Sequence, residues 1–163
     1  MNVCVYPGSF DPFTLGHLDV LKNASEIFDR VYVAVLKNSS KVSTFTVEER
    51  MDMITKAAEE CSFSNVIIDQ FEGLTVDYLK KVDAHFVIRG LRAITDFEYE
   101  FQMNAMNRHL YPDMQTVCFM SSTEHSYLSS SIVKELCQLN GDISDLVPTC
   151  NIEFITERLS KHE

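Results

Sequence analysis

At 163 residues the chain has the length of one domain, taken here as residues 1–163, and 45% hydrophobic residues suffice for a core without metals or crosslinks. A formal net charge of −10 excludes a broad electrostatic footprint for nucleic acid, because gripping a phosphate backbone takes a basic face, so any phosphate recognition has to be local. No apolar stretch reaches the ~18 residues that span a bilayer, and the N-terminus enters Val3-Cys4-Val5-Tyr6 without a basic leader, so neither export nor membrane insertion is expected and a cytoplasmic protein is.

The first strand-length apolar run, Val3 to Tyr6, opens onto Tyr6-Pro7-Gly8-Ser9-Phe10-Asp11-Pro12-Phe13-Thr14-Leu15-Gly16-His17. Gly8 and Gly16 are expected to let a phosphate approach the backbone, and the free N–H groups and positive dipole end of the following helix favour anions. Thr14 and His17 add side-chain donors there. The loop carries neither the dinucleotide G-x-G-x-x-G nor the P-loop G-x-x-x-x-G-K-[ST], so hydride transfer and ordinary γ-phosphate hydrolysis lose their usual support. A hydroxyl and an imidazole at a helix start could instead stabilise charge growing on an α-phosphate during nucleotidyl transfer.

After the second run, Val31 to Leu36, comes the polar loop Lys37-Asn38-Ser39-Ser40-Lys41. Lys41 reads either as a solvated loop lysine or as a mobile point charge for a phosphate. Thr46-Val47-Glu48-Glu49 has capping-box spacing and marks a helix start. The third run, Val66 to Phe71, leads to Gly73-Leu74-Thr75, a loop before a helix. The fourth, Phe86 to Ile88, runs into Ile88-Arg89-Gly90-Leu91-Arg92, whose planar guanidinium forks suit phosphate oxygens and could equally pair with Asp96, Glu98 or Glu100. Thr95-Asp96-Phe97-Glu98 repeats the capping-box spacing and marks another helix start. Beyond the fifth run, Thr116 to Met120, the hydroxyl-rich stretch Ser121 to Ser131 enters a helix from about Ser130 to Leu139. Ser130 or Ser131 is its expected N-cap, and Gly141 its left-handed C-cap. Tyr127 could bind or pack. Ile152 to Leu159 forms a last amphipathic helix.

Five nearly all-apolar runs separated by helical periodicity predict a doubly wound parallel sheet covered on both faces, with ligands collecting at the carboxyl ends of the strands. Cys4, Cys61, Cys118, Cys137 and Cys150 are odd in number, widely spaced and lack zinc-site spacing, so they read as reduced and mostly buried thiols, with no metal site expected.

Taken together and in this order, G-S-F-D-P-F-T-L-G-H, Ile88-Arg89-Gly90-Leu91-Arg92, the Asp96-Phe97-Glu98-Tyr99-Glu100 run and Ser129-Ser130-Ser131 resemble phosphopantetheine adenylyltransferase over residues 2 to 160. The resemblance implies a Rossmann-like fold. It implies transfer of the adenylyl group of ATP to 4'-phosphopantetheine, giving dephospho-coenzyme A and pyrophosphate, by a homohexamer. It places ATP contacts at Ser9, Phe10, His17, Gly90, Leu91, Arg92, Glu100 and the segment His125, Ser126, Tyr127, Leu128, Ser129, Ser130 and Ser131. Phosphopantetheine contacts fall at Ser9, Lys41, Leu74, Thr75 and Arg89. Among these, His17, Thr14, Lys41 and Arg89 would act on the transferring group, Mg2+ would arrive with ATP, and coenzyme A would bind as feedback ligand. Two local departures stand out: the Asn38 to Lys41 loop lacks the family's usual proline, and His125 stands where an aromatic residue is usual. A nicotinamide mononucleotide or glycerol phosphate nucleotidyltransferase shares the first motif, and a non-catalytic ATP-sensing module is the alternative of another class.

Overall fold

The computed structural model describes residues 1–37, 42–92 and 94–160. Strands β1 (Val3–Gly8), β2 (Arg30–Leu36), β3 (Val66–Phe71), β4 (Phe86–Leu91) and β5 (Gln115–Met120) form a parallel sheet of order β3-β2-β1-β4-β5. Among the described residues the helices are α1 (Leu15–Ile27), α2 (Val47–Glu60), α3 (Thr75–Lys81), α4 (Ile94–Leu110), α5 (Ser130–Gln138) and α6 (Ile152–Leu159). The result is the Rossmann-like, doubly wound α/β fold with a C-terminal helix. Strand order reverses beside β1, which pairs with β2 from Val3↔Arg30 to Gly8↔Val35 and with β4 at Cys4↔Phe86 and Val5↔Val87. That switch point opens a crevice at the strands' carboxyl ends, where open α/β sheets bind ligands.

The central strands are apolar on both faces because both faces are covered. Cys4, Tyr6, Val31, Val33, Val35 and Ile88 pack into one cluster with Leu21 of α1, Met53 of α2, Val133 of α5 and Ile155 of α6. The intervening Val5, Ala34 and Val87 pack on the opposite face with Val76 and Leu79 of α3. The edge strands depart from this rule. In β5, Val117 and Phe119 lean on the core, while Cys118 and Met120 point to the uncovered side. The expectation of mostly buried thiols is corrected accordingly: Cys4 and Cys137 are buried, Cys61 is half-buried, and Cys118 and Cys150 are exposed.

Helix ends are set by local chemistry. Thr46 caps α2 as its spacing predicts, its side chain accepting from Glu49 N–H at 3.2 Å while Glu49 accepts from Thr46 N–H at 2.8 Å. α4 starts at Ile94, ahead of the expected Thr95 cap. The carboxylate reaching back to the chain before it is Asp96 rather than Glu98, accepting from Arg92 N–H at 3.0 Å. α5 is capped by Ser129, one residue before the predicted Ser130 or Ser131. At its other end the left-handed residue is Asn140 (φ 57°) rather than Gly141. The N–H groups of Asn140 and Gly141 return to the carbonyls of Cys137 and Leu136, which is a Schellman ending. Gly141 is required there for space, since a Cβ would sit 2.3 Å from Leu136 Cδ1.

Candidate active site

A cleft of about 300 Å³ lies where β1 and β4 end. The β1 side supplies Gly8, Phe10, Thr14, Gly16 and His17; the β4 side supplies Arg89, Gly90 and Arg92; α4 contributes Glu100, and the chain entering α5 contributes Leu128, Ser129 and Ser130. Residues far apart in sequence thus meet at one point, from the last residues of β1 and β4 and from the segments that follow strands β1, β4 and β5.

His17 is held by a capping box in which histidine takes the place usually filled by glutamate. Thr14 Oγ1 accepts from His17 N–H at 3.3 Å, and Thr14 N–H donates to His17 Nδ1 at 3.1 Å. Because Nδ1 accepts a backbone N–H through its lone pair, it carries no proton, and the neutral ring holds its proton on Nε2, as a donor for the cleft. Phe13 stacks on the imidazole at 5.6 Å between centroids, and Phe10 meets it edge-on at 5.1 Å. Phe10 also fills the space that glycine leaves at position 8, where a Cβ would lie 2.8 Å from Phe10 Cζ. The bare face of Gly8 is therefore taken by an aromatic ring as much as by any ligand.

Burial behind these rings, and secondarily the Arg92 charge, push the His17 pKa down from 6.5 to about 4. An unfolded chain takes up a proton at this residue near pH 6.5 and the folded one only near 4. Its contribution to stability is therefore intact above the unfolded value and is lost as pH falls through that window. The thermal midpoint of His17→Asn is expected to decline less steeply than wild type between pH 6.5 and 4.5, a window set by that depressed pKa. Parallel declines would show that the ring is not held neutral.

Both arginines form the carboxylate pairs their sequence allowed. Arg89 bonds Glu100 Oε2 at 3.0 Å and the Pro7 carbonyl at 3.2 Å. Arg92 bonds Asp96 Oδ2 at 3.1 Å and the Leu128 carbonyl at 3.1 Å. Both side chains nevertheless line the cleft, so the carboxylates orient the forks while these face the space a ligand would fill.

The two helix starts bring backbone donors. In α1 the N–H of Leu15 is taken by the Leu146 carbonyl and that of His17 by Thr14, leaving the Gly16 N–H without a partner among the described residues. In α5 the Ser129 side chain takes the Ile132 N–H, leaving those of Ser130 and Ser131 without a partner among the described residues. Ser130 Oγ donates to the Pro12 carbonyl at 2.8 Å and locks the two helix starts together. Such an arrangement suits an anion with several negative oxygens.

Other expected site residues fall elsewhere. Ser9 is exposed and offers its carbonyl to Arg50; Leu91 and Ser131 lie beside the cleft lining. His125, Ser126 and Tyr127 are also outside it, and Tyr127 is exposed rather than core. Leu74 is the exposed N-cap of α3 and Thr75 that helix's first residue, both away from the cleft. Lys41 lies outside the described residues. Among the described residues no group of three His, Cys, Asp or Glu side chains could hold a metal ion, and no helix is long and apolar enough to cross a membrane.

Two charged residues behind the cleft were not singled out from sequence. Asp11, buried, accepts from the N–H groups of Thr44 at 3.0 Å and Phe45 at 2.9 Å, and Lys134 of α5 lies 3.3 Å away. Arg50, 3% exposed, donates to the carbonyls of Ser9 at 2.6 Å, Leu36 at 3.2 Å and Thr46 at 3.2 Å. Arg50 occupies the apolar stripe Arg50, Met53, Ile54, Ala57, Ala58 of α2, and a cation on such a stripe was the available signal.

A crevice at the switch point of a parallel sheet, with a T-x-G-H imidazole at its helix start, is the arrangement of a nucleotidyltransferase. In agreement, the family model described as cytidylyltransferase-like matches residues 5–136. The chain belongs to the phosphopantetheine adenylyltransferase family. It is 47% identical to the phosphopantetheine adenylyltransferase of Alkaliphilus metalliredigens, over 99% of both chains. The enzyme of that name from Lachnoclostridium phytofermentans is 51% identical over 97% of this chain and 96% of its own. Solved structures share the fold at low identity. Nicotinic acid mononucleotide adenylyltransferase of Plasmodium falciparum, complexed with NaAD, has a TM-score of 0.62 at 18% identity, over 96% of this chain and 95% of that one. A bifunctional NMN adenylyltransferase/ADP ribose pyrophosphatase of Francisella tularensis, complexed with AMP, has a TM-score of 0.71 at 14% identity, over 96% of this chain and 48% of that one.

Proposed function

We propose that the protein transfers the adenylyl group of ATP to 4'-phosphopantetheine, giving dephospho-coenzyme A and pyrophosphate in the penultimate step of coenzyme A synthesis. Likeness along the whole chain to proteins named phosphopantetheine adenylyltransferase carries the choice of acceptor. The cleft supports the chemistry. A phosphate oxygen of 4'-phosphopantetheine attacks the α-phosphorus of ATP in line, the bond from that phosphorus to the β-bridging oxygen breaks, and pyrophosphate leaves. The nucleophile is already an anion, so no general base is needed and catalysis reduces to positioning and charge stabilisation.

Each residue then has a role. The Nε2–H of His17 donates to an oxygen of the α-phosphate as negative charge grows there, and Thr14 keeps the ring in that tautomer. Arg92 and the N–H groups of Ser130 and Ser131 take the leaving pyrophosphate; Arg89 and Lys41 take the acceptor phosphate; Leu74 and Thr75 line the pantetheine arm. Mg2+ would arrive with the triphosphate and would supply charge neutralisation on its oxygens, since no group of three His, Cys, Asp or Glu among the described residues could hold it apart from the nucleotide. Coenzyme A, which shares the acceptor's thiol arm, is the feedback ligand. The setting is the cytosol. Assembly as a homohexamer is supported by an apolar surface on α4 and the edge strand, where Phe97, Tyr99, Phe101 and Met120 are between 53% and 85% exposed.

Pyrophosphate release from ATP, measured against 4'-phosphopantetheine, nicotinamide mononucleotide and glycerol 3-phosphate, tests the proposal. Rapid release with the first acceptor alone is expected. Preference for a mononucleotide would reassign the acceptor, and tight ATP binding with no release from any acceptor would make the protein a sensor.

A further inference from the structure

The segment joining β5 to α5 is tied to α1 by a second histidine, and this one uses its ring in the opposite sense from His17. His125 closes the 3-10 turn Thr123–His125, and its Nδ1 bonds Oδ2 of Asp19, which lies two residues after His17 on α1. Ser122 Oγ donates to the same carboxylate oxygen at 2.9 Å. A carboxylate only accepts, so Nδ1 here is a donor, whereas in His17 it accepts. The pair is sheltered, with side-chain exposures of 16% for His125 and 25% for Asp19, which makes it worth more than a solvated surface contact.

From the turn the chain of bonds continues into the cleft. The His125 carbonyl accepts from Leu128 N–H at 3.0 Å, and the Leu128 carbonyl accepts from Arg92 at 3.1 Å. Leu128, Ser129 and Ser130 line the cleft, whereas His125 is absent from that lining and borders a separate depression with Glu124, Ser144 and Asp145. The resemblance placed His125 among the groups touching ATP. The geometry points to a positioning role for the side chain: we propose that the His125 to Asp19 tie fixes the Leu128–Ser130 segment and Arg92 against α1, presetting the ATP half of the cleft.

The proposal rests on the adenylyl-transfer reading, and the experiment separates the two. Wild-type turnover with ATP and 4'-phosphopantetheine is measured first, and its absence would sink the reaction rather than the tie. Steady-state kinetics then compare His125→Leu, which keeps bulk and loses the donor, with His125→Asn, whose amide nitrogen overlays Nδ1, and with Asp19→Ala. His125→Leu and Asp19→Ala should each raise the KM for ATP roughly tenfold, the size of one lost hydrogen bond to a charged group. The KM for 4'-phosphopantetheine and kcat should move by less than about twofold. His125→Asn should recover most of the loss, and the double variant should be no worse than either single one. If His125→Asn were as impaired as His125→Leu, ring packing would be the cause and the tie would be refuted. An unchanged KM for ATP in His125→Leu, or equal effects on both substrates, would also overturn it. Should His125→Leu fail to fold, Asp19→Leu, which offers no acceptor, reads the same bond from the other side with the same expected direction.

Discussion

His17→Ala should lower kcat about a hundredfold, a loss of roughly 3 kcal/mol of transition-state stabilisation, while the KM for ATP changes little. The expectation follows from where the ring's proton sits. Thr14 N–H occupies Nδ1, burial keeps the imidazole neutral, and Nε2–H is left as a donor that is fixed before the substrate arrives. Such a donor gains most as charge accumulates on the α-phosphate, so its removal appears in turnover and not in ground-state binding. His17→Gln, which can place an amide N–H near the Nε2 position, should recover part of the loss. The alanine variant also gives up one half of the capping box, worth about 1 kcal/mol of stability. A folded His17→Ala protein with near-wild-type turnover would remove the imidazole from the chemistry.

Arg50→Met carries the largest expected cost to stability, about 3 kcal/mol. Its guanidinium is buried beneath the cleft and serves three carbonyls on separate stretches: Ser9 in the T-x-G-H loop, Leu36 at the end of β2, and Thr46 at the α2 cap. Methionine keeps much of the stem's packing and supplies no donors, so the Ser9 and Leu36 carbonyls lose their bonds to this side chain. Asp11, which holds Thr44 and Phe45 close by, loses the compensating positive charge of the buried arginine. Urea unfolding of wild type and variant measures the effect. A change below about 0.5 kcal/mol, typical of a surface substitution, would show that the guanidinium does not brace the loop.

The sheet was largely legible in the sequence because β1 and β2 are covered on both faces, so their apolar runs stand out against polar connections. Legibility failed at the edges. Cys118 sits in an apolar run yet is exposed, since nothing in a run of five residues tells a central strand from an edge strand. Helix starts were readable to within a residue or so. At α5 three consecutive serines offered equivalent caps, and at α4 Asp96 competed with Glu98 for the reciprocal bond. The C-terminus of α5 went to Asn140 because asparagine tolerates the left-handed region, while Gly141 was needed for close approach to Leu136.

The ends of the first, fourth and fifth runs marked residues that line the cleft, whereas Leu74 and Thr75 after the third lie away from it. Thr14 and His17 even carry the spacing of a capping box, with histidine in the acidic position. His125 was legible as a departure but not as a partner of Asp19, 106 positions away, because a pair of that separation exists only once the fold has formed. Asp11 was hidden by the same cause, while Arg50 could have been found as a cation on the apolar stripe of α2.

The stereochemical course at the α-phosphorus tests most directly the claim that this cleft only positions two phosphates and stabilises charge between them. With ATP made chiral at that centre by sulfur substitution and with 4'-phosphopantetheine as acceptor, a single in-line displacement gives the dephospho-coenzyme A analogue with inverted configuration. Retention would reveal an adenylylated protein intermediate, and with it a nucleophilic side chain that the proposed mechanism does not contain.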